Sequence, residues 1–455
     1  MSTISRKMAE FAVGLRYEDL PQEVVHQTKR FLYDSIGCAL GGYNAHDVQI
    51  AHDVYKALGG SPEATVIGSG LRTSSYYAAF LNSLMIRVLD YNDIYWKEDP
   101  SHPSDLIPAA MAAGERQHKS GKDLITAIVL AYEFEQRLCE FAVPGLRERK
   151  WHHASLTQFV SPIAAGKMLD LTVDEMVNAI GISGSHNMTL GAVTAGKLTM
   201  MKNTVDPLAT QSGVIAALLA KAGYTGTEAI FEGKEGLMDT LGGKFLPEIL
   251  TEGLGESYRI MQCAMKAYPT EALTHSPITA ALKIVHEHQI KPEEVKSITV
   301  KTIARAVDIL ADPSKYHPES KETADHSLPY CIAAAVADGM VTTAQFQPAK
   351  LKDERILSLL PKVKAVAEPE FEKLFPEKKP AEVIIETERG TFSSRVDYPK
   401  GDPREPMSDE ELAQKFAGLT ADVLSDNRRK RISDAIWAVD EFDDIEKFMA
   451  LLSLD

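Results

Sequence analysis

Apolar positions recur at helical spacing through most of the first 260 or so residues. From Glu23 to Leu40 they fall at Val24, Val25, Phe31, Leu32 and Ile36, the one-sided stripe of a helix packed on a core. A longer striped run spans Asp123 to Phe141, entered through Gly121 and closed near Pro144. Thr172 with Glu175 forms a capping box, in which each side chain bonds the other's backbone N–H, and opens a helix ending in the Gly181–Gly184 segment. Gln211 to Ala222 reads as another helix, stopped by Gly223, a normal C-terminal position for glycine. Runs such as AAFLNSLMI and GVIAALLAKAG are apolar on most faces, as expected of helices buried in a multilayer domain.

The period changes after about residue 265. SITVKT, Ser297 to Thr302, is β-favouring, and KVKAVA, Lys362 to Ala367, alternates apolar and polar. Ala381 to Tyr398 reads as two strands around Arg389-Gly390, a hairpin signal, while Ser327 to Asp338 reads as a helix. The proline-rich PKGDPREPM breaks this pattern, and a second capping box, Ser408 with Glu411, starts a helical run to the end. The fold class is therefore mainly α with an α+β second domain. The expected boundaries are 1–264 for the first part of an all-helical domain, 265–400 for a smaller α+β lid, and 401–455 for helices returning to the first part.

Composition narrows the function. At 455 residues the chain exceeds what one core usually supports, so two domains are expected. A formal net charge of −15 argues against nucleic acid and anionic membrane as partners, because phosphate binding needs a basic surface. It leaves room for a small anion, since a few lysines in one cleft make a positive pocket inside an acidic protein. No apolar run approaches the roughly 20 residues that span a bilayer. The N-terminus turns acidic before any signal-like apolar stretch forms, so a cytoplasmic address is expected. Cys38, Cys139, Cys263 and Cys331 are widely spread with no C-x-x-C. They read as small buried hydrophobes, without a basis for a zinc ribbon or an iron–sulfur cluster.

Five segments carry candidate chemistry. In LDYNDIYWKEDPSHPSD, Asp90 and Asp93 stand three apart, on one face if helical, and His102 follows in a proline-bounded loop. Carboxylates and an imidazole so close suit an oriented general base; the plainer alternative is two helix caps and a loop histidine. His152 and His153 precede a helix, and their adjacency turns them in different directions, so at most one is expected to face a given site. A metal site would need partners at helical spacing, and none is present. Lys202, in MKNTVD, stands at the mouth of an apolar helix, where an anion site or a solvated loop both fit. Lys266, in MKAYPTE with His275 close behind, falls where the domains are expected to cross. KETADHSLPY, from Lys321 to Tyr330, is a dense polar cluster in which Asp325 or Ser327 can simply cap the following helix. Neither a dinucleotide glycine pattern, a P-loop nor a G-x-S-x-G elbow is present.

Taken in this order, the segments resemble the MmgE/PrpD family of 2-methylcitrate dehydratases, which also contains cis-aconitate decarboxylase and iminodisuccinate epimerase. LYDSIGCALGGY, the Leu-Asp-x-x-Asp…His-Pro segment and KETADHSLPYCIAAAVADG carry the likeness, which spans almost the whole chain. It implies a large helical domain made from both chain ends with an α+β lid between. It also implies a catalytic set of Asp93, His102, His152, Lys202 and Lys266, with Asp90, Tyr268, His275 and Tyr330 binding substrate. No metal and no cofactor are expected, and a homodimer is implied. The sequence departs from the family's pattern where Ser104 stands for a common glycine and His153 for a common proline. Ala267 and Glu271 stand where the decarboxylases carry arginine and histidine.

The expected reaction is dehydration of 2-methylcitrate or a related tricarboxylate. A proton is removed beside a carboxylate and hydroxide leaves the next carbon. Such a carbanionic state needs positive stabilisation, for which Lys202 and Lys266 are the candidates. Asp93 is expected to orient His102, with His152 as its complement. Epimerisation and decarboxylation pass through related intermediates and remain alternatives, as does a non-enzymatic helical scaffold.

Overall fold

The computed structural model describes residues 2–195 and 198–454 and divides into two compact units. The larger unit combines the N-terminal stretch, Met200–Cys263 and Asp409–Asp455. Its centre is the helix Gly121–Phe141, capped by a Ser120–Asp123 box and buried on nearly every face. Ala154–Met168 packs closely beside it, and Met201–Lys221 packs in turn on Ala154–Met168. Their approach depends on Gly213, where an added Cβ would lie 2.0 Å from the Ser161 hydroxyl oxygen. The Ser161 hydroxyl meanwhile donates to the Thr210 carbonyl at 2.8 Å. Ala154–Met168 is buried on nearly every face, which is why its sequence shows no polar stripe, whereas Met201–Lys221 keeps Met201, Leu208 and Leu219 exposed.

The C-terminal helices belong to this unit. Asp409–Thr420 lies on Gln22–Gly42, with the rings of Tyr33 and Phe416 4.5 Å apart. The chain end is tied to the loop at Gly68 by two backbone bonds, Gly68 N–H to the Leu452 carbonyl and Leu454 N–H to the Gly68 carbonyl. The Thr172–Glu175 box forms as its spacing requires.

Two expectations need correction. The helix read from Gln211 begins ten residues earlier, at Met201, and carries Pro207 inside it. Pro207 is the seventh residue, so it removes the bond an N–H there would make to the Asn203 carbonyl, yet the helix runs through it and proline did not mark a boundary here. Helix after helix up to about residue 260 also overstates the order. Between 223 and 257 the described helices are short, Leu237–Leu241 and Glu248–Thr251. Glycines at 223, 226, 233, 236, 242, 243, 253 and 255 interrupt every longer run.

The second unit is mainly Ala264–Ser408. It holds a four-stranded sheet ordered Gly390–Val396, Ala381–Thr387, Val295–Thr302, Val363–Ala367. The first two pairings are antiparallel and the last is parallel. Ile298 faces Ile385 and Val300 faces Val383 across the central pair, so the pleat turns these buried side chains to one side, against helices His275–His288 and Leu328–Asp338. The hairpin forms with Thr387 paired to Gly390, placing its loop at Glu388-Arg389. No helix of the described residues is long and apolar enough to cross a membrane.

Candidate active site

The helix Ser75–Arg87 ends just before the first candidate segment. Asp90 then takes a left-handed conformation, φ 52°, which asparagine and aspartate tolerate best among non-glycine residues. Asp93 opens the strand Asp93–Trp96, which pairs with Pro100–Ser101. The two carboxylates are therefore not on one helical face, and the expectation of shared helical spacing is corrected. The turn lets Asp90 face back toward Arg87 at 2.7 Å and Lys202 at 3.2 Å.

His102 sits at the head of the short turn Pro103–Leu106. Its Nδ1 lies 2.6 Å from the Asp93 backbone carbonyl oxygen. A carbonyl only accepts, so Nδ1 carries the proton, and in the neutral ring Nε2 holds the lone pair. Asp93 thus orients His102 through its peptide and not, as its sequence position suggested, through its carboxylate. The carboxylate is bound instead by Ser104, whose N–H donates at 3.0 Å and hydroxyl at 2.6 Å. Burial pushes the Asp93 carboxyl up to about 6, against the pull of those Ser104 bonds. Ser104, a departure in the sequence, has a definite task here.

His152 is placed by the loop entering Ala154–Met168. The Ala154 N–H donates to its Nδ1 at 3.2 Å, so neutral His152 carries its proton on Nε2. Burial, then the neighbouring His153, pushes the imidazole well below its ordinary value and keeps it neutral. The two rings lie against each other, centroids 4.0 Å apart, and the His153 ring is 5.7 Å from that of His102. The expectation that only one of the adjacent histidines would face the site is corrected: both do.

Lys202 and Asp206, both buried, lie one turn apart on the first turns of Met201–Lys221. Lys202 pairs with Asp90, while Asp206 lies 3.5 Å from His153 Nε2 and 3.7 Å from Arg87. Burial opposes ionisation of Asp206, but His153, His152 and Arg87 outweigh it and hold the carboxyl far below its usual range. Arg87 also reaches Asp105 at 3.5 Å, and Asn92 donates to Asp105 at 3.0 Å. Farther along the central helix, Glu135 accepts from Thr157 at 2.8 Å, and burial lifts its carboxyl to about 8.

In the first unit the structure brings together Asp90, Asp93, His102, His152 and Lys202. It adds Arg87, Ser104, Asp105, Glu135, His153 and Asp206, which the sequence reading did not select. Two had a signal: Arg87 is the lone charge in an apolar helix, and Asp206 follows Lys202 at helical spacing once the helix starts at Met201. Donor atoms of His152, His153 and Asp206 all lie within 4.8 Å of one another, a set suited in type to a divalent cation. Helical spacing was therefore not required to gather such donors. Arg87 places a fixed positive charge against that group.

The remaining candidates lie in the second unit. Lys266 is buried. The Tyr268 hydroxyl lies 3.2 Å from that of Thr279, and its ring stands edge-on to His275 at 5.3 Å. His275 heads the helix His275–His288 with Nε2 3.3 Å from the Thr270 carbonyl. Tyr330 donates its hydroxyl to the Gln345 carbonyl at 2.7 Å, inside the core of this unit. Ser327 caps the helix Leu328–Asp338, while Asp325 is buried between Lys321 at 2.8 Å and His326 at 2.5 Å. All four cysteines are buried thiols.

Comparison with known proteins adds to this geometry. The MmgE/PrpD N-terminal domain matches residues 6–250, and the MmgE/PrpD C-terminal domain matches residues 268–441. A cis-aconitate decarboxylase-like protein of Aspergillus oryzae is 28% identical, over 99% of this chain and 97% of its own. The cis-aconitate decarboxylase of Homo sapiens is 26% identical, over 100% and 95%. The 2-methylcitrate dehydratase of Escherichia coli is 23% identical, over 92% and 90%.

Proposed function

Since this chain belongs to the MmgE/PrpD family, we propose that it is a lyase acting on a small polycarboxylate, dehydrating 2-methylcitrate or a close tricarboxylate. The observation that carries the reading is the pair of complementary imidazoles. His102, held at Nδ1 by the Asp93 carbonyl, offers Nε2 as a base. His152, held at Nδ1 by the Ala154 N–H, offers Nε2–H as a donor.

In this reading His102 removes the proton on carbon beside a substrate carboxylate. Electron density moves into that carboxylate, where the Lys202 ammonium stabilises it. The carbon–oxygen bond on the neighbouring carbon then breaks. His152 hydrogen-bonds the departing oxygen, and the proton taken by His102 leaves with the hydroxide as water. The family likeness assigns Lys266 to a substrate carboxylate. Asp90 sets the ammonium of Lys202 in place, and Arg87 pairs with the same carboxylate at 2.7 Å. No metal or cofactor enters this scheme.

A second reading, decarboxylation of cis-aconitate, is favoured by the higher identity to relatives bearing that name. Against it, Ala267 and Glu271 bring neither arginine nor histidine to their positions.

Proton NMR of the purified chain with 2-methylcitrate, cis-aconitate and iminodisuccinate in turn, with EDTA present, separates the readings. Loss of 2-methylcitrate with growth of an unsaturated tricarboxylate is the expected result. Itaconate from cis-aconitate would install the decarboxylase instead. Solvent deuterium entering iminodisuccinate without net elimination would install an epimerase. Activity lost to EDTA would overturn metal independence, and no turnover or binding of any of the three would leave the scaffold.

A further inference from the structure

Two neighbouring helices of the larger unit turn apolar side chains outward. On His46–Leu58 these are Ile50, Val54 and Leu58, and on Met201–Lys221 they are Met201, Leu208 and Leu219, all exposed. The helices are bridged by Asn203, which donates to the Asp47 carboxylate at 3.3 Å, and by Tyr55, which donates to Gln211 at 3.4 Å; both bonds join residues 156 apart. A constant offset means that the two helices run parallel. At about 100° per residue, Ile50 and Val54 lie to one side of the Asp47–Tyr55 line, and Met201, Leu208 and Leu219 to the opposite side of the Asn203–Gln211 line. In parallel neighbours, opposite senses open onto one surface, so the two stripes share a single face. That face is without fixed charge. The charged residues of Met201–Lys221 are Lys202 and Asp206, both buried, and Lys221, which donates to the Leu169 carbonyl at 2.6 Å. On His46–Leu58, Asp47 is turned into the contact, while Asp53 and Lys56 fall at the rim of the stripe.

We infer that this face is where a second copy of the chain docks, the two helices of one copy lying on those of the other about a twofold axis. Single exposed leucines are ordinary, but contiguous apolar surface rimmed by polar residues marks a contact site. Its size is of the right scale. The helices are 13 and 21 residues long, hence about 20 and 31 Å, and each is about 10 Å wide with its side chains, a flat projection of about 500 Å². Side chains standing from that plane raise the accessible area toward the roughly 800 Å² that each partner gives to a stable interface. Charge selects the partner. At a net charge of −15 two copies repel in most orientations, and a face without charge is where they can approach. A twofold contact sets the same patch against itself, so apolar stripe meets apolar stripe and no charge is buried without a counter-ion. A strongly basic or acidic partner would find nothing on this face to pair with. The expected homodimer thereby acquires a location, on the outer side of the helix whose inner side carries Lys202 and Asp206.

Sedimentation equilibrium of the full chain tests this, because it reads the mass of the assembly and needs no substrate. The native protein should sediment at twice the 49.9 kDa of one chain. Val54→Glu combined with Leu208→Glu sets like charges against each other across the twofold. It should raise the dimer dissociation constant at least about 100-fold, leaving a species of single-chain mass with unchanged circular dichroism. Both side chains are exposed, so neither change reaches the core. Should that variant fail to fold, Val54→Ser with Leu208→Ser removes the apolar contact without adding charge, and should weaken the dimer at least about tenfold. Met340→Glu alters an exposed methionine of the second unit and, as the control, should leave the dimer intact. A native chain of single mass would overturn the inference, as would a dimer that persists in the double variants or one that Met340→Glu dissociates equally well. A native monomer that joins lipid vesicles or a different protein through this face would overturn it too, by giving the face another occupant.

Discussion

Lys415, on the C-terminal helix Asp409–Thr420, donates from Nζ to the Tyr91 carbonyl at 2.7 Å and lies 2.6 Å from the buried Asp34 carboxylate. Its ammonium also stands 4.0 Å from the centre of the Tyr91 ring. Tyr91 separates Asp90 from Asn92, so a residue more than 300 positions away supports the turn that carries the site.

Removing this lysine leaves Asp34 buried without its partner. Lys415→Met should cost about 3–5 kcal/mol of stability in urea unfolding, the usual penalty for breaking one side of a buried pair. Adding Asp34→Asn should return a large part of that loss, since the uncompensated charge is then gone. A Lys415→Met chain as stable as the native one would show that the pair does not hold the turn.

The contact between His102 and Asp93 runs through the peptide, and this separates the two residues experimentally. His102→Asn should lower kcat by about 10²–10⁴-fold, as loss of a general base does. Asp93→Asn keeps the carbonyl that orients His102 and should cost less than about tenfold, a modest loss from the altered bonds to Ser104. Equal losses in steady-state kinetics would mean that the carboxylate itself takes part.

Glu135 makes stability depend on pH in a stated direction. Its folded carboxyl is lifted to about 8, chiefly by burial, whereas an unfolded glutamate lies near about 4.3. The folded state therefore binds more protons between those values. The contribution of this group is fully present below about 4.3 and is lost as pH rises through about 8. Between about pH 7 and 9 the native chain should lose about 1–1.5 kcal/mol through Glu135. Glu135→Gln, which keeps an acceptor for Thr157, should remove that loss. Urea unfolding of both proteins at several pH values checks this, and parallel curves would rule it out.

By itself the sequence determined what depends on neighbours a few residues apart. It set the Thr172–Glu175 box, the buried character of the long helices, the alternation that marks the strands of the second unit, and the fold class. The family likeness, too, was carried by short segments such as the one from Leu89 to Asp105. What it could not set is what burial and distant chain segments decide. Periodicity assigned Asp90 and Asp93 to one face, but a left-handed turn at Asp90 separated them. Adjacent histidines were expected to diverge, but packing laid their rings together. Arg87, Asp105 and Asp206 became one network only because three segments converge in a buried space, where each charge must find a partner. Local pattern records propensity; the pairing of buried charges is decided by which segments the folded core brings into contact, and only the tertiary structure contains that.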